Sequence, residues 1–185
     1  RMLRRGMAAE PGVARVPETF NLPAERADLL RHAAAHPGAL YIVKPAKGSG
    51  GQGISVTDDV GAAAARTDVV VQRYIDRPYL IDGRKGHLRI YALVTEARPL
   101  RAYIYGEGIV RIAPEPYDSR PERLADLSMH VTNTALHLDH PGLVISQDDS
   151  REDEGAIWSL SALLRRMRSD GFDPDAVFGE IRTLV

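Results

Sequence analysis

The hydrophobic and polar positions in the first half of the chain predict short helices that alternate with short strands. Proline at position 23 suits a first helical turn, and the Ala, Leu, Glu and Arg residues that follow favour a helix through Ala35. Compact apolar runs bounded by turn-forming residues are typical of buried strands. The further predictions are an extended lead-in over 1–20, strands over 41–43, 54–57 and 69–71, and a short helix over 62–66.

The second half predicts an antiparallel meander of three strands. β-type segments cover residues 88–95, 100–105 and 109–113, and they are separated by Pro99 and by the Gly-Glu-Gly run at 106–108. Together with the helices, these segments predict an α+β fold.

Two helices are predicted at the end of the chain. Ile157, Leu160, Leu164 and Met167 recur at helical spacing, which marks them as core residues. Ser150 and Asp153 are placed like a capping box before them. A last helix is expected over residues 172–185. Because the chain opens on Arg and stops inside that helix, we expect it to be part of a longer protein.

Composition leaves any functional site to local features. The chain has 185 residues, of which 44% are hydrophobic and 26% charged, with a formal net charge of -1. This balance gives no global attraction to nucleic acid or to an anionic membrane, so we expect neither as a partner. The absence of cysteine from the sequence excludes a disulfide framework, a thiolate zinc site and a cysteine nucleophile.

A lysine followed by a glycine-rich turn is the first candidate binding motif. The predicted strand over 41–43 leads into Lys44, and glycines follow at positions 48, 50, 51 and 53. Glycine lets backbone N–H groups approach an anion, and lysine supplies a positive charge, so the pattern suits a polyphosphate. It is not a Walker A motif, because no GK[ST] follows the last glycine. The alternative is a flexible hairpin tip without a ligand.

Three further segments carry candidate polar groups, and each has an ordinary structural alternative. Residues 72–75, Gln-Arg-Tyr-Ile, end a buried strand and can face a base, or simply run out to the surface. Arg89 and Arg111 lie in predicted neighbouring strands, with Lys85 at the strand entry; they suit an anionic group or form a solvated face. Residues 130–133, His-Val-Thr-Asn, suit ribose or phosphate contacts, or form a turn.

The order of these motifs resembles that of the tubulin tyrosine ligase-like family. The sequence reads PETFNLP, then Lys-Pro with the glycine hairpin, then QRYI, DGRKxxLRIY, LRAYIY, GIVRIA and HVTN, over residues 17–133. The resemblance implies an ATP-grasp fold, in which two α+β lobes clamp ATP, incomplete here at its C-terminal end. It implies a lead-in and end of an N-terminal region over 1–40, a central lobe with the glycine hairpin over 41–80, and a partial C-terminal lobe over 81–185.

The same resemblance implies roles for individual residues. Lys44 is expected to reach the nucleotide phosphates, under a mobile loop that contains Gly51 and Gly53. Catalytic positions near the phosphates and the incoming substrate match Lys85, Arg89 and Arg111. The adenine hinge matches Gln72, Arg73, Tyr74 and Ile75, and a stretch that lines the nucleotide site matches His130, Thr132 and Asn133.

The activity implied is an ATP-dependent ligation that needs Mg²⁺. ATP phosphorylates a carboxylate, and an amine then displaces phosphate to form an amide or isopeptide bond. The expected partners are ATP, a free amino acid (glutamate, glycine or tyrosine) and tubulin or another protein with an acidic tail, in the cytoplasm, at the cytoskeleton or cilium. This segment alone is expected to be inactive.

Two departures from the family pattern leave an alternative open. His87 stands where the family has an aspartate between the lysine and the arginine of this strand entry. The family's magnesium ligands, an aspartate and a later Glu-x-Asn pair, have no match in the chain, and we assign no metal ligand. The alternative is therefore a non-catalytic ATP-grasp relative that binds nucleotide or an acidic protein tail.

Overall fold

A computed structural model of the chain describes residues 16–146 and 152–183. The described residues divide into two units. The first contains Pro17–His87 and Arg111–Val144, and the second contains Val16, Leu88–Val110 and the described residues that follow position 144.

The helices and strands have the following bounds. The strands are β1 (Thr19–Leu22), β2 (Tyr41–Pro45), β3 (Ser55–Thr57), β4 (Val69–Arg73), β5 (Leu80–Ile81), β6 (Arg84–Ala97), β7 (Leu100–Pro116) and β8 (Ile157–Ser159). The α-helices are α1 (Arg26–Ala35), α2 (Val60–Ala65), α3 (Leu127–His130), α4 (Leu160–Ser169) and α5 (Pro174–Thr183), and short 3₁₀ turns cover Pro121–Arg123 and Thr134–Leu136. Helices beside antiparallel sheets confirm the α+β class.

The sheet of the first unit has the strand order β1-β4-β2-β3, and every neighbouring pair is antiparallel. The predicted hairpin of β2 and β3 is confirmed, with Tyr41 opposite Thr57 and Val43 opposite Ser55. The strand over Thr19–Leu22 was not predicted, since the extended lead-in covered residues 1–20 and no element was assigned to residues 21 and 22. One sheet face packs against α1 and α2, and its core includes Phe20, Leu29, Tyr41, Val43, Ala63 and Val71.

The second sheet has the order β5-β6-β7-β8 and corrects the predicted meander. The two segments over 100–105 and 109–113 are one strand, β7. Neither Gly106 nor Gly108 has a positive φ, so the backbone passes through both extended instead of turning. A Cβ on Gly108 would lie 2.6 Å from the main-chain oxygen of Arg89, so close approach of the backbone accounts for this glycine.

The second unit holds the two predicted helices with shifted starts. Ile157 belongs to β8 and not to the helix, which begins at Leu160 with Ser159 as its N-cap: Oγ of Ser159 accepts from the N–H of Ala162 at 3.0 Å. Ser150, half of the predicted capping box, lies outside the described residues. The last helix runs over Pro174–Thr183. None of the described helices has both the length and the apolar character needed to cross a membrane.

Candidate functional site

A chain of polar side chains crosses the sheet of the first unit and ends in Lys44. The Lys44 ammonium donates to Oε1 of Gln72 at 2.8 Å, and Nε2 of Gln72 donates to Oγ1 of Thr19 at 2.8 Å. Thr19 and Ile42 are the register partners of Gln72 on its two sides, and Lys44 lies two residues on from Ile42. Strand neighbours in register share a face, so the three polar side chains lie on one face of the sheet.

A second lysine of the same unit is held by two residues that lie far apart in the chain. Lys85, at the start of β6, donates from its ammonium to the hydroxyl of Tyr74 at 2.9 Å and to the main-chain oxygen of His130 at 3.0 Å. The ammonium lies 4.3 Å from the centroid of the Tyr74 ring. Tyr74 and His130 are only 5% and 2% exposed, so the network is buried behind the lysine.

The electrostatics of the two lysines are those of cations partly removed from water. Burial lowers the pKa of Lys44. Burial, and to a smaller extent repulsion from Lys44, lowers the pKa of Lys85 to about 8. Neither ammonium forms an ion pair with a carboxylate of the described residues. Lys44 and Lys85 are therefore two neighbouring positive groups whose acceptors are all neutral.

The glycine-rich loop packs against the segment that follows α3. Gly51 has φ +90°, and a Cβ built on it would lie 2.6 Å from Cδ1 of Leu136 and 3.2 Å from the side chain of Asn133. Gly53, at φ +72°, would meet the Pro45 ring at 2.8 Å. The structure thus brings together two of the predicted binding segments, the loop and the stretch over 130–133.

The predicted adenine hinge is engaged in the sheet over most of its length. The N–H of Arg73 donates to the Glu18 oxygen and the N–H of Tyr74 donates to the Leu40 oxygen, each at 2.8 Å, so neither N–H is available to a base. Ile75 follows β4 and is 57% exposed. Among the four hinge residues, Ile75 is the one whose side chain is both apolar and exposed.

The remaining predicted residues are distributed over both units. Arg111 is half-buried in β7 and belongs to the first unit with Thr132, which is buried. Arg89 is exposed and belongs to the second unit. Around it, Leu88 and Ile90 are half-buried while Tyr91 is exposed, so Arg89 and Tyr91 share the exposed face of this part of β6.

Sequence reasoning missed several groups that complete these networks. They include Thr19, which accepts from Gln72, and the main-chain oxygen of Arg123, which contacts Nε2 of His130 at 3.2 Å. Thr19 stands two residues from Asn21 in an alternating segment, a weak strand signal. No sequence pattern indicates the Arg123 carbonyl. A cavity of about 480 Å³ in the same unit, formed by β3, α2 and residues 121–127, contains none of the predicted site residues.

A family comparison defines the class of this protein. The model of the tubulin-tyrosine ligase family matches residues 2–185. The chain belongs to that family, and the family resemblance predicted from the motif order is confirmed.

Individual relatives include tubulin polyglutamylases. The chain is similar to the human tubulin polyglutamylase TTLL5, 35% identical over 170 residues that cover 92% of the chain and 13% of that protein. It is also similar to the probable beta-tubulin polyglutamylase of Tetrahymena thermophila, 34% identical over 172 residues that cover 91% of the chain and 14% of that protein. With the human tubulin polyglutamylase TTLL6 it shares 42% identity over 123 residues, 65% of the chain and 14% of that protein. The chain therefore spans a small part of the length of these relatives.

Proposed function

We propose that this chain forms the nucleotide-binding part of an ATP-dependent ligase that joins an amino acid to a tubulin-like protein. The fold proposed is ATP-grasp, with ATP held between two α+β lobes. The observation that carries the proposal is the pair of partly buried ammonium groups of Lys44 and Lys85, which repel each other and have no described carboxylate as counter-ion. Such a pair is costly unless an anion is bound beside it.

The chemistry of the surrounding groups fits a nucleotide polyphosphate. Lys44 and Lys85 would hold phosphate oxygens, the loop containing Gly51 and Gly53 would cover them, and Arg111 and Asn133 would add donors. The main chain of residues 72–75 would face adenine with its oxygens as acceptors, and the Ile75 side chain would be the apolar surface. Mg²⁺ would accompany the phosphates, but among residues 16–146 and 152–183 no group of three or more His, Asp or Glu side chains is placed to hold a metal, so we assign it no ligand.

In the proposed reaction the protein supplies position and charge. Transfer of the terminal phosphoryl group of ATP to a carboxylate oxygen gives an acyl-phosphate and ADP. An amine nitrogen then attacks the acyl carbon, phosphate leaves with the electron pair of the C–O bond, and a proton is lost from nitrogen. Negative charge accumulates on phosphate oxygens throughout, and fixed lysine and arginine side chains stabilise it. The names of the relatives favour glutamate as the added amino acid and tubulin as the acceptor, and hence action at microtubules.

Titration with a non-hydrolysable ATP analogue tests the nucleotide site. Lys44→Met keeps the aliphatic stem and removes the charge, and it should weaken binding roughly 10- to 150-fold, since a hydrogen bond to a charged group contributes about 1.5 to 3 kcal/mol. Lys47→Met is the matched control, because it removes an equal charge from an exposed position of the loop. Equal losses in the two variants, or no binding by the unsubstituted protein, would refute the assignment.

A second assay separates a ligase from a relative that only binds. Because residues 1–185 alone are expected to be inactive, the longer protein in which they are expected to lie is incubated with ATP, Mg²⁺, radiolabelled glutamate and tubulin. Incorporation of the label into tubulin supports the ligase. Nucleotide binding without incorporation of glutamate, glycine or tyrosine would favour the non-catalytic alternative, to which the histidine at position 87 already points.

A further inference from the structure

The polar network behind Lys85 has a hydrogen-bond direction that its members fix for one another. A carbonyl oxygen only accepts, so Nε2 of His130, 3.2 Å from the Arg123 oxygen, carries the ring proton. Burial lowers the pKa of His130, so the ring is neutral near pH 7 and Nδ1 is an acceptor. The Tyr74 hydroxyl lies 3.0 Å from Nδ1 and therefore donates to it.

The donor at the other end of the network is the lysine. An ammonium group has only donors, so the Lys85 contact of 2.9 Å is made to a lone pair of the Tyr74 oxygen. The hydroxyl proton is already directed at His130, and the lone pairs consequently face the ammonium. The order of donation is Lys85 to Tyr74, Tyr74 to His130, and His130 to the Arg123 oxygen.

We infer that His130 and Tyr74 are positioning residues for Lys85, and that neither side chain contacts the nucleotide. The inference rests on the proposed function only in the purpose it gives to Lys85, which is to face the phosphates. The side chains of Tyr74 and His130 are buried, and their polar atoms are used within the network. His130 supports the lysine twice, through Nδ1 by way of Tyr74 and through its own main-chain oxygen at 3.0 Å.

The charged groups around the network do not replace this support. The charged groups that act on the three members are Lys44 on Lys85, Lys85, Asp126 and Asp118 on His130, and Asp76 on Tyr74; the neutral hydroxyl of Tyr117 is also hydrogen-bonded to Tyr74. None of the carboxylates of the described residues pairs with the Lys85 ammonium, which donates to a hydroxyl and to a carbonyl. Loss of the Tyr74 hydroxyl should therefore directly lower the proton affinity of Lys85.

Competitive acetylation measures that proton affinity without any nucleotide. The protein is treated with trace acetic anhydride between pH 6 and 11, and modification of Lys85 is quantified by mass spectrometry against the exposed Lys47. The midpoint for Lys85 is expected near the pKa of about 8. In Tyr74→Phe, which keeps the buried ring, the midpoint should fall by about one pH unit, because the charged form loses an acceptor.

Two substitutions of His130 separate positioning from simple packing. His130→Asn keeps an acceptor where Nδ1 stands and should leave the midpoint within about 0.3 unit of the unsubstituted protein, even if the melting temperature falls. His130→Leu removes the acceptor and should lower the midpoint as Tyr74→Phe does. If His130→Leu does not fold, Tyr74→Phe decides alone. An unchanged midpoint in folded Tyr74→Phe, or an equal fall in His130→Asn and His130→Leu, overturns the inference.

One further arm keeps this inference distinct from the proposed function. Addition of the non-hydrolysable ATP analogue to the unsubstituted protein should raise the Lys85 midpoint and slow its acetylation. Failure of the analogue to do so counts against the nucleotide site. The comparison among the variants in the absence of nucleotide is unaffected by that outcome.

Discussion

Alanine at position 51 tests the packing of the glycine-rich loop on the segment after α3. Gly51 has φ +90°, a conformation that residues with a Cβ rarely adopt, and the added methyl would lie 2.6 Å from Cδ1 of Leu136. Gly50 has φ +70°, and a Cβ there would meet nothing within 4 Å. Gly50→Ala therefore reports backbone strain alone, and Gly51→Ala reports strain together with a steric contact.

The expected magnitudes follow from these two contributions. Left-handed backbone costs an L-residue about 1 to 2 kcal/mol, so Gly50→Ala should lower the free energy of unfolding by that amount. The contact with Leu136 adds a cost of the kind produced by overpacking, about 1 to 3 kcal/mol, reduced to the extent that the leucine side chain can rotate. Gly51→Ala should thus be the more destabilising of the two by at least about 1 kcal/mol.

Urea denaturation of a double-mutant cycle measures the contact. In the Leu136→Ala background the nearest atom that opposes the new methyl is absent and only the 3.2 Å approach to the Asn133 side chain is left, so the cost of Gly51→Ala should fall toward that of Gly50→Ala. Affinity for the ATP analogue, measured on the same proteins, should fall more in Gly51→Ala than in Gly51→Ala/Leu136→Ala. Equal costs for the two glycine substitutions in the unsubstituted background would refute the reasoning, because the loop would then not be packed on Leu136.

Further predictions concern pH, a helix terminus and the substrate. Because the pKa of Lys85 is lowered to about 8, affinity for the ATP analogue should fall about tenfold between pH 7 and pH 9 in calorimetric titrations, and Lys85→Arg, which stays charged, should abolish that dependence. The folded protein also releases this proton at a lower pH than the unfolded chain, so the free energy of unfolding should rise with pH from about 8 to about 10.4 in urea titrations. Glu107 accepts from the N–H of Ser161 at 3.1 Å and from its hydroxyl at 2.6 Å; Glu107→Ala should lower the free energy of unfolding by about 1 to 3 kcal/mol, and Glu107→Gln by less, as measured by thermal denaturation. In the full-length protein, His87→Asp should leave ATP affinity within about threefold and change turnover or the choice among glutamate, glycine and tyrosine; unchanged values of both would mean that position 87 does not touch the substrate. Residues 1–185 expressed alone should form no amide from ATP, glutamate and tubulin, and measured incorporation would contradict this.

The elements that sequence reasoning predicted well are those with a strong local signal. The Val-Val-Val run of β4 and the Tyr-Ile-Val run of β2 consist of β-branched and aromatic residues, and the glycines between β2 and β3 allow the positive φ angles of the loop. β7 was divided in two because a Gly-Glu-Gly run has the composition of a turn. The glycine at position 108 is explained by its close approach to the neighbouring backbone. That approach depends on the tertiary structure and is not visible in the sequence.

The sequence predicts which residues belong to the candidate site, but it does not predict the hydrogen bonds between them. The motif order identified Lys44 and Lys85 as candidate cations, because lysine beside glycine is a local pattern. The acceptors of Lys85 come from Tyr74 and from a residue 45 positions later in the chain, His130. Separations of that size leave no periodic trace in a sequence. The same holds for Thr19, which lies 53 positions from Gln72 and completes its hydrogen bonds.

The hydrogen bonds of the Gln72 side chain require an amide, and not a carboxylate, at position 72. Its oxygen faces an ammonium donor and its nitrogen faces the Thr19 hydroxyl, so the amide has one orientation. Glutamate has nearly the same shape, but it would form a salt bridge with Lys44 and would have no N–H to donate to the Thr19 hydroxyl. Replacement of the side-chain nitrogen of residue 72 by oxygen would thus neutralise the positive charge of Lys44 while the fold persists. In calorimetry, Gln72→Glu should appear as a loss of affinity for the ATP analogue with little change in melting temperature.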